Sequence, residues 1–507
     1  MAMEEIINLR LFLIYFIISV SVFQSGVDFQ MSMFLYYTPK YQCLSPNQTT
    51  DSITPDNCFY VPVNSSLAKF PCTKWKFDKS KIKSTFVTEL KLVCNQRFLQ
   101  WILIPLRNIS GVFAIFLGIL SDMKGRKPMF LICSGSDTII WILLGILPSH
   151  YSLHIFLRFI KLFGIGSSII GLVLVTELTP KKYRNFIIIN YWSVFSIGMA
   201  MTPWYIKRFA YWKQSWLIAA FPMFLYGLAP LILLESPKWL ISNSRKDEAF
   251  EVLQILNQNS EDEDFNNKSI DDTETVHENK RFCHSKSLLI RLGILLITSL
   301  SFYFVYQGTA TNLEFAISDI YINAMIMGLI EIPAGPLGYL SSIAIGSVTS
   351  VVIWTTIGLI SYSIIPGNWD PMLNLTQTGK ISHSILACLS KFSLVVAWNI
   401  LSVFYVALFP TNKRNFVANF GEATGFIGAA IGGFAGYYYS NDNGGFSFAN
   451  FIYGILLIIS MILFGLIIPS INKTSLPNTV EEAEQIKKDS QFCFTESIGD
   501  KIVEEYK

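Results

Sequence analysis

Apolar residues gather along this chain in long blocks, and polar residues collect in the seams between them. Each block runs to about 20 residues, enough for a helix to cross about 30 Å of hydrocarbon. Twelve blocks stand out, near residues 10–33, 98–120, 128–147, 152–174, 186–206, 215–234, 288–309, 318–341, 344–365, 382–407, 416–438 and 447–468. The expected fold class is an all-α polytopic membrane protein. The first block is longer than a usual signal-peptide core, and no small-residue cleavage site follows it, so it is expected to remain as the first helix.

Composition agrees with the pattern. Of 507 residues, 51% are hydrophobic, 14% aromatic and only 15% charged, against about a quarter charged in an average soluble protein. The net charge of +3 gives no reason to expect nucleic acid, because charge in such a chain follows topology; the lipid bilayer is the expected partner. Lys124, Arg126 and Lys127, then Lys181, Lys182 and Arg184, then Lys413 and Arg414, fall on alternate connections. The positive-inside rule puts those connections and both termini in the cytoplasm. Lys207, Arg208 and Lys213 fall on the other side and run against the rule.

Two long polar segments remain. Residues 36–97 are expected outside the cell and hold Cys43, Cys58, Cys72 and Cys94. In an oxidising compartment these suggest two disulfides, with three possible pairings. Asn47 and Asn64 head glycosylation sequons in the same loop, and Asn374 heads one in a shorter outer loop. Asn108 is placed inside a span, and Asn267 and Asn472 in the cytoplasm, so these three are expected to stay bare. Residues 235–287 are expected in the cytoplasm. Ala249, Val252, Leu253 and Leu256 recur there at helical spacing, predicting an amphipathic surface helix. The acidic stretch that follows is nearly free of apolar residues and reads as a flexible linker. The expected division is thus 1–234, the linker 235–287, 288–468, and a cytoplasmic tail 469–507. Six spans, a linker and six more suggest two related bundles with a site between them.

The seam "GILSDMKGRKPMF" (118–130) packs Asp122, Lys124, Arg126 and Lys127 into one tight turn. The pattern Gly118-x-x-x-Asp122-x-x-Gly125-Arg126-Lys127 resembles the signature loop of the major facilitator superfamily. "CTKWKFD" (72–78), "STFVTELKLVC" (84–94), "ELTPKKYR" (177–184), "LESPKWL" (234–240), "LFPTNKRN" (408–415) and "LPNTVEEAE" (476–484) resemble landmarks of solute carrier family 22, the organic cation, anion and carnitine transporters, in order along the chain. The resemblance implies a major facilitator fold of two six-helix bundles, with a large extracellular loop between helices 1 and 2. It further implies alternating access in the plasma membrane as a monomer, a small organic ion as substrate, and no cofactor. It implies a gating set of Gly118, Asp122, Gly125, Arg126, Lys127, Glu177, Arg184, Glu235 and Arg414.

Departures from the family are specific. The second half should repeat the charged turn, but Ile343 stands where the Asp belongs and Ser347 and Val348 where the arginines belong. The acid expected before the second "PT" landmark is Ala407. Position 426, an Asp in the family's cation transporters and an Arg in its anion and carnitine members, is Phe426 here.

An ionisable group inside a span is costly and usually faces a partner or a cavity. Asp28, Arg107, Arg158, Lys161, Glu331, Lys391 and Glu422 are such groups. Asp28 and Arg158 come out at similar depth and are expected to pair. Arg107, Lys161, Lys391 and Glu422 are candidate substrate contacts, with Tyr191, Trp192, Tyr303, Tyr306, Gln307 and Phe426 as an aromatic, polar-tipped cage. If Arg158 takes Asp28, then Lys161 and Arg107 are left to meet an anionic group, which leans the expectation towards a carboxylate-bearing substrate. "YQG" at 306–308 matches the family's cation branch and, with Glu422, points the other way. No metal or nucleophile constellation and no ATP-binding loop is recognisable, so an enzyme is not expected and coupling must come from gradients. His150 and His154 are read as belonging to an exposed helix start. The competing reading is a non-transporting sensor or scaffold, suggested by the lost second turn and missing acids.

Overall fold

The computed structural model describes residues 9–44, 52–54, 57–61, 69–209, 211–256, 282–313, 319–364, 377–441, 446–469 and 476–486. Asn47, Asn64, Asn267, Asn374, Asn472, the acidic part of the linker and the end of the tail lie outside them.

The apolar blocks are helices. In the first half they are α1 (Leu9–Leu35), α3 and α4 (Arg97–Val112, Ala114–Lys124), α5 (Arg126–Ile146), α6 and α7 (Tyr151–Ile160, Leu162–Leu178), α8 and α9 (Lys181–Tyr191, Ser193–Phe209), and α10 (Trp212–Ala219), which runs through a 3₁₀ stretch into α11 (Ala229–Ile232). In the second half they are α14 (Lys286–Leu313), α15 and α16 (Ile320–Glu331, Ala334–Ile345), α17 (Ser347–Ile364), α18 (Gln377–Ala407), α19 (Arg414–Asn441) and α20 (Phe446–Ile467). Short helices fill the connections: α2 (Phe86–Leu90), α12 (Pro237–Ser242), α13 (Lys246–Ile255) and α21 (Val480–Gln485). Among the described residues, nine helices are long and apolar enough by themselves to cross a membrane. The columns α3–α4, α19 and α20 complete the twelve expected. Polar and small residues dilute α19, whereas α20 is strongly apolar.

The two halves meet along two seams. One joins α9 to α15, the other α3 and α4 to α19. Small residues make the close approach possible: a Cβ at Gly328 would lie 2.4 Å from the Ala200 nitrogen. Large apolar side chains such as Phe224, Leu231, Phe434 and Leu466 point outward, as a lipid-facing surface requires.

The loop between α1 and α3 is a small folded unit. β1 (Tyr41–Cys43) pairs antiparallel with β5 (Trp75–Phe77), and β2 (Ser52–Ile53), β3 (Phe59–Val61) and β4 (Phe70–Pro71) form a second antiparallel sheet. Of the three possible pairings, the disulfides take Cys43–Cys72 and Cys58–Cys94. Thr85 caps α2 with a reciprocal bond to Thr88, and this turn carries Phe86 onto His154 at 4.1 Å between rings. His154 is therefore buried, hydrogen-bonded to the Tyr36 hydroxyl at 3.0 Å, and not at an exposed helix start. At the opposite face α13 is amphipathic as expected, burying Ala249 and Val252.

Candidate functional site

The end of the molecule opposite the disulfide loop is locked by charge. Gly125 ends α4 with φ +104°, a conformation that suits glycine because it has no Cβ to clash. The turn throws Arg126 inward, fully buried. Its Nε donates to Glu177 at 3.1 Å, and its Nη2 donates to the Thr411 carbonyl of the other half at 2.8 Å. Glu177 also accepts from Arg414 Nη1 at 2.5 Å, so one carboxylate bridges an arginine from each half. Asp122 lies 3.3 Å from Arg126 and accepts from the backbone N–H groups of Asn415 and Phe416, at 3.3 and 2.8 Å. Those donors open α19, where the helix dipole favours a negative charge. Gly118 lets the helices close: a Cβ there would sit 2.7 Å from the Asn415 carbonyl.

Glu235 secures the turn from behind, accepting from the Arg126 N–H at 2.9 Å and the Lys127 N–H at 3.2 Å. Burial pushes its carboxyl up from the ordinary range, while backbone donors at Ser236, Arg126 and Lys127 pull it down. Arg184 donates to the Thr176 and Thr179 carbonyls on its own side, so it braces a turn and does not bridge the halves through those bonds.

Between the halves lies a cavity with about 130 Å³ open to the centres of water-sized molecules. Its first-half wall carries a four-charge cluster. Arg158 Nη1 meets Asp28 at 2.6 Å and Arg158 Nη2 donates to Ser32 at 2.5 Å. Lys161 meets Asp137 at 3.2 Å and Asp28 at 3.8 Å, and lies 4.5 Å above the Trp141 ring. Asp137 is buried on α5. The expectation that Lys161 remains without an acid is thus corrected: two acids meet two bases, and the first half offers no spare cation in this cluster. Asp137 was legible as an acid midway along the 128–147 block; what the chain order hides is that Lys161, 24 residues on, is its neighbour.

The second-half wall is different. Glu331 pairs with Lys391 at 2.8 Å and accepts from the Tyr306 hydroxyl at 2.9 Å and from Ser196 of the first half at 3.2 Å. Glu422 accepts from the Tyr303 hydroxyl and has no basic partner among the described residues. Tyr303 stands 4.7 Å from Trp398 and 5.5 Å from Phe426, and Tyr306 stands 5.8 Å from Phe29. Lys161, Trp192, Tyr303, Tyr306, Gln307, Glu422 and Phe426 all line the cavity, joined by Trp398 and Asn399, which sequence did not single out, and by Asn108, which it read only as a sequon inside a span. Tyr191 and Lys391 stand behind the wall: Tyr191 donates to the Ser168 carbonyl at 2.8 Å, and Lys391 is committed to Glu331. Arg107 lies on α3, and its side chain is outside the described residues.

The model of the family "Sugar (and other) transporter" matches residues 72–481. Curated relatives include solute carrier family 22 member 2 of Pongo abelii, 24% identical over 438 residues, covering 84% of this chain and 76% of the relative. The organic cation transporter protein of Drosophila melanogaster is 23% identical over 450 residues, covering 84% and 79%. Among solved structures, the major facilitator superfamily proton:xylose symporter XylE superposes with TM-score 0.65 at 15% identity, covering 94% of this chain and 99% of that one. The human organic anion transporter MFSD10 gives TM-score 0.53 at 14% identity, covering 90% and 99%. These structures share the fold.

Proposed function

The chain belongs to the sugar (and other) transporter family of the major facilitator superfamily, as a divergent relative of the solute carrier family 22 proteins, and we propose that it carries small organic cations across the plasma membrane by alternating access. The observation that carries the reading is the cavity between the halves: aromatic on one side, charge-balanced in the Asp28–Arg158–Lys161–Asp137 cluster, and acidic at Glu422. A cation fits such a wall through the Glu422 carboxylate and the faces of Tyr303, Trp398 and Phe426. With Lys161 held by Asp137, one of the two cations that favoured a carboxylate-bearing substrate is already committed. The Drosophila relative carries the name organic cation transporter protein, which agrees with this reading.

In this reading residues 1–234 and 288–468 rock as two bundles about the cavity, and the rest of 235–287 links them. The locked face, with Arg126, Glu177 and Arg414, is cytoplasmic together with both termini. The disulfide loop is extracellular with glycans at Asn47 and Asn64, and the working unit is a monomer. The test is uptake in a cell line lacking background transport, with labelled tetraethylammonium, carnitine and an aromatic carboxylate. Tetraethylammonium uptake well above vector is expected. Uptake of the carboxylate alone would overturn the cation assignment, and a null panel would overturn transport of organic ions.

A further inference from the structure

Three carboxylates line the cavity, and they are not equivalent. Asp28 has Arg158, and Glu331 has Lys391. Glu422, in the first third of α19 and only 6% exposed, has the Tyr303 hydroxyl and no cation among the described residues. The described side chains of the neighbouring elements supply none. On α14 the titratable groups beside it are Tyr303 and Tyr306, and on α18 it is Tyr405, whose hydroxyl donates to the Leu295 carbonyl at 2.8 Å. The charges of α4 lie at its far end, where Asp122 is held by Asn415 and Phe416. At the α6–α7 junction Lys161 is held by Asp137 and Asp28. On α3, Arg107 lies one turn from Gly111 towards the disulfide-loop end, and Gly111 packs on the Phe426 ring. Glu422 lies one turn from Phe426 in the opposite direction, since α3 and α19 run antiparallel.

A bare carboxylate enclosed in low dielectric is disfavoured, so a closed cavity has two acceptable states: Glu422 protonated, or Glu422 ionised with a cation against it. We propose that Glu422 is an exchange site that holds either a proton or the cationic group of the substrate, so that one proton leaves for each monovalent cation carried in. This rests on the cation reading above. As the cation enters, the Glu422 O–H bond breaks, the proton passes to water of the compartment facing the cavity, and a carboxylate oxygen meets the cation. When the cation leaves on the other side, the carboxylate takes a proton from water there and the protein returns neutral. No electrons move. The Tyr303 hydroxyl donates to Glu422 and keeps the carboxylate aimed at the cavity while its charge changes hands. The exchange is electroneutral, so uptake should follow the proton gradient and ignore the membrane potential.

The test is calorimetric titration of the purified full-length protein with tetraethylammonium, in two buffers of different ionisation enthalpy near neutral pH. Wild type should release about one proton per cation bound, Glu422→Asp the same, and Glu422→Gln none. In proteoliposomes an acid interior should concentrate tetraethylammonium about tenfold per pH unit in wild type, with no change on clamping the potential. Cation binding by wild type without proton release, or equal release by Glu422→Gln, overturns the exchange while leaving cation transport standing. A wild type that neither binds nor moves tetraethylammonium overturns the cation reading and the exchange with it.

Discussion

The turn at Gly125 and the turn at Gly346 occupy matching places in the two halves and share a backbone, yet only one is a lock. Gly125 has φ +104° and Gly346 +87°, and each ends one helix and begins the next. Behind the first stand Asp122 and Arg126; behind the second, Ile343, half-exposed, and Ser347, whose hydroxyl meets that of Ser342 at 2.6 Å. The next landmark repeats the contrast. Arg184 donates to the carbonyls of Thr176 and Thr179, and Arg414 makes the same two bonds to Val406 and Phe409. The acid that should accompany each is Glu177 in one half and Ala407 in the other. Backbone geometry and charge are therefore separable: glycine preserves the turn without its ions. The carboxylate of Glu177 carries an ion pair across the halves at this face, joining Arg126 of its own half to Arg414 of the other.

The comparison breaks most severely at that residue. Glu177→Gln leaves Arg126 and Arg414 buried without their shared counter-ion, a loss of about 3–5 kcal/mol. The purified variant should melt well below wild type and reach the surface poorly; a melting curve matching wild type would show the bridge to be dispensable. Asp122→Asn removes the charge facing Arg126 and the Asn415 and Phe416 amides, about 1.5–3 kcal/mol. Folding and surface level should survive while the open and closed populations shift about tenfold or more, reducing uptake. Surface biotinylation alongside uptake separates those effects.

Restoring the lost acid sharpens the contrast from the other side. Ala407→Glu sets a carboxylate at the position equivalent to Glu177, seven residues before Arg414 as Glu177 is before Arg184. A second bridge worth up to about 1.5 kcal/mol should slow turnover about tenfold at unchanged surface level. The smallest effect belongs to Ile343→Asp. Its side chain is 55% exposed and Ser347 supplies no cation, so stability should move by no more than about 0.5 kcal/mol and uptake should match wild type. A strong loss there would mean that the second turn gates after all.

Much of the site was legible before any coordinates. Charges enclosed by hydrocarbon must find partners, which is enough to pair Asp28 with Arg158 from their depths alone. Glycine beside a cluster of charges between two apolar blocks gives the Gly125 turn its shape and place. The same reasoning went astray at Lys161, because helices α5 and α6–α7 bring Asp137 beside it and depth along one helix does not reveal which face a neighbour presents. Tyr191 has the right type and depth for the cavity wall, but its side of α8 turns to Ser168. His154 looked exposed until the outer loop folded α2 over it.

What the amino-acid order determined by itself is the run of membrane-crossing helices, the glycine turns and the requirement that each enclosed charge be met. Those follow from local length, local sterics and the cost of charge in low dielectric, none of which needs a distant residue to be known. Which disulfides form, that Glu177 serves arginines from both halves, and that Glu422 is met by a tyrosine and by no cation among the described residues were decided only by the packed structure. Those are contacts between residues tens to hundreds of positions apart, and only the rotation and crossing of whole helices sets their distances.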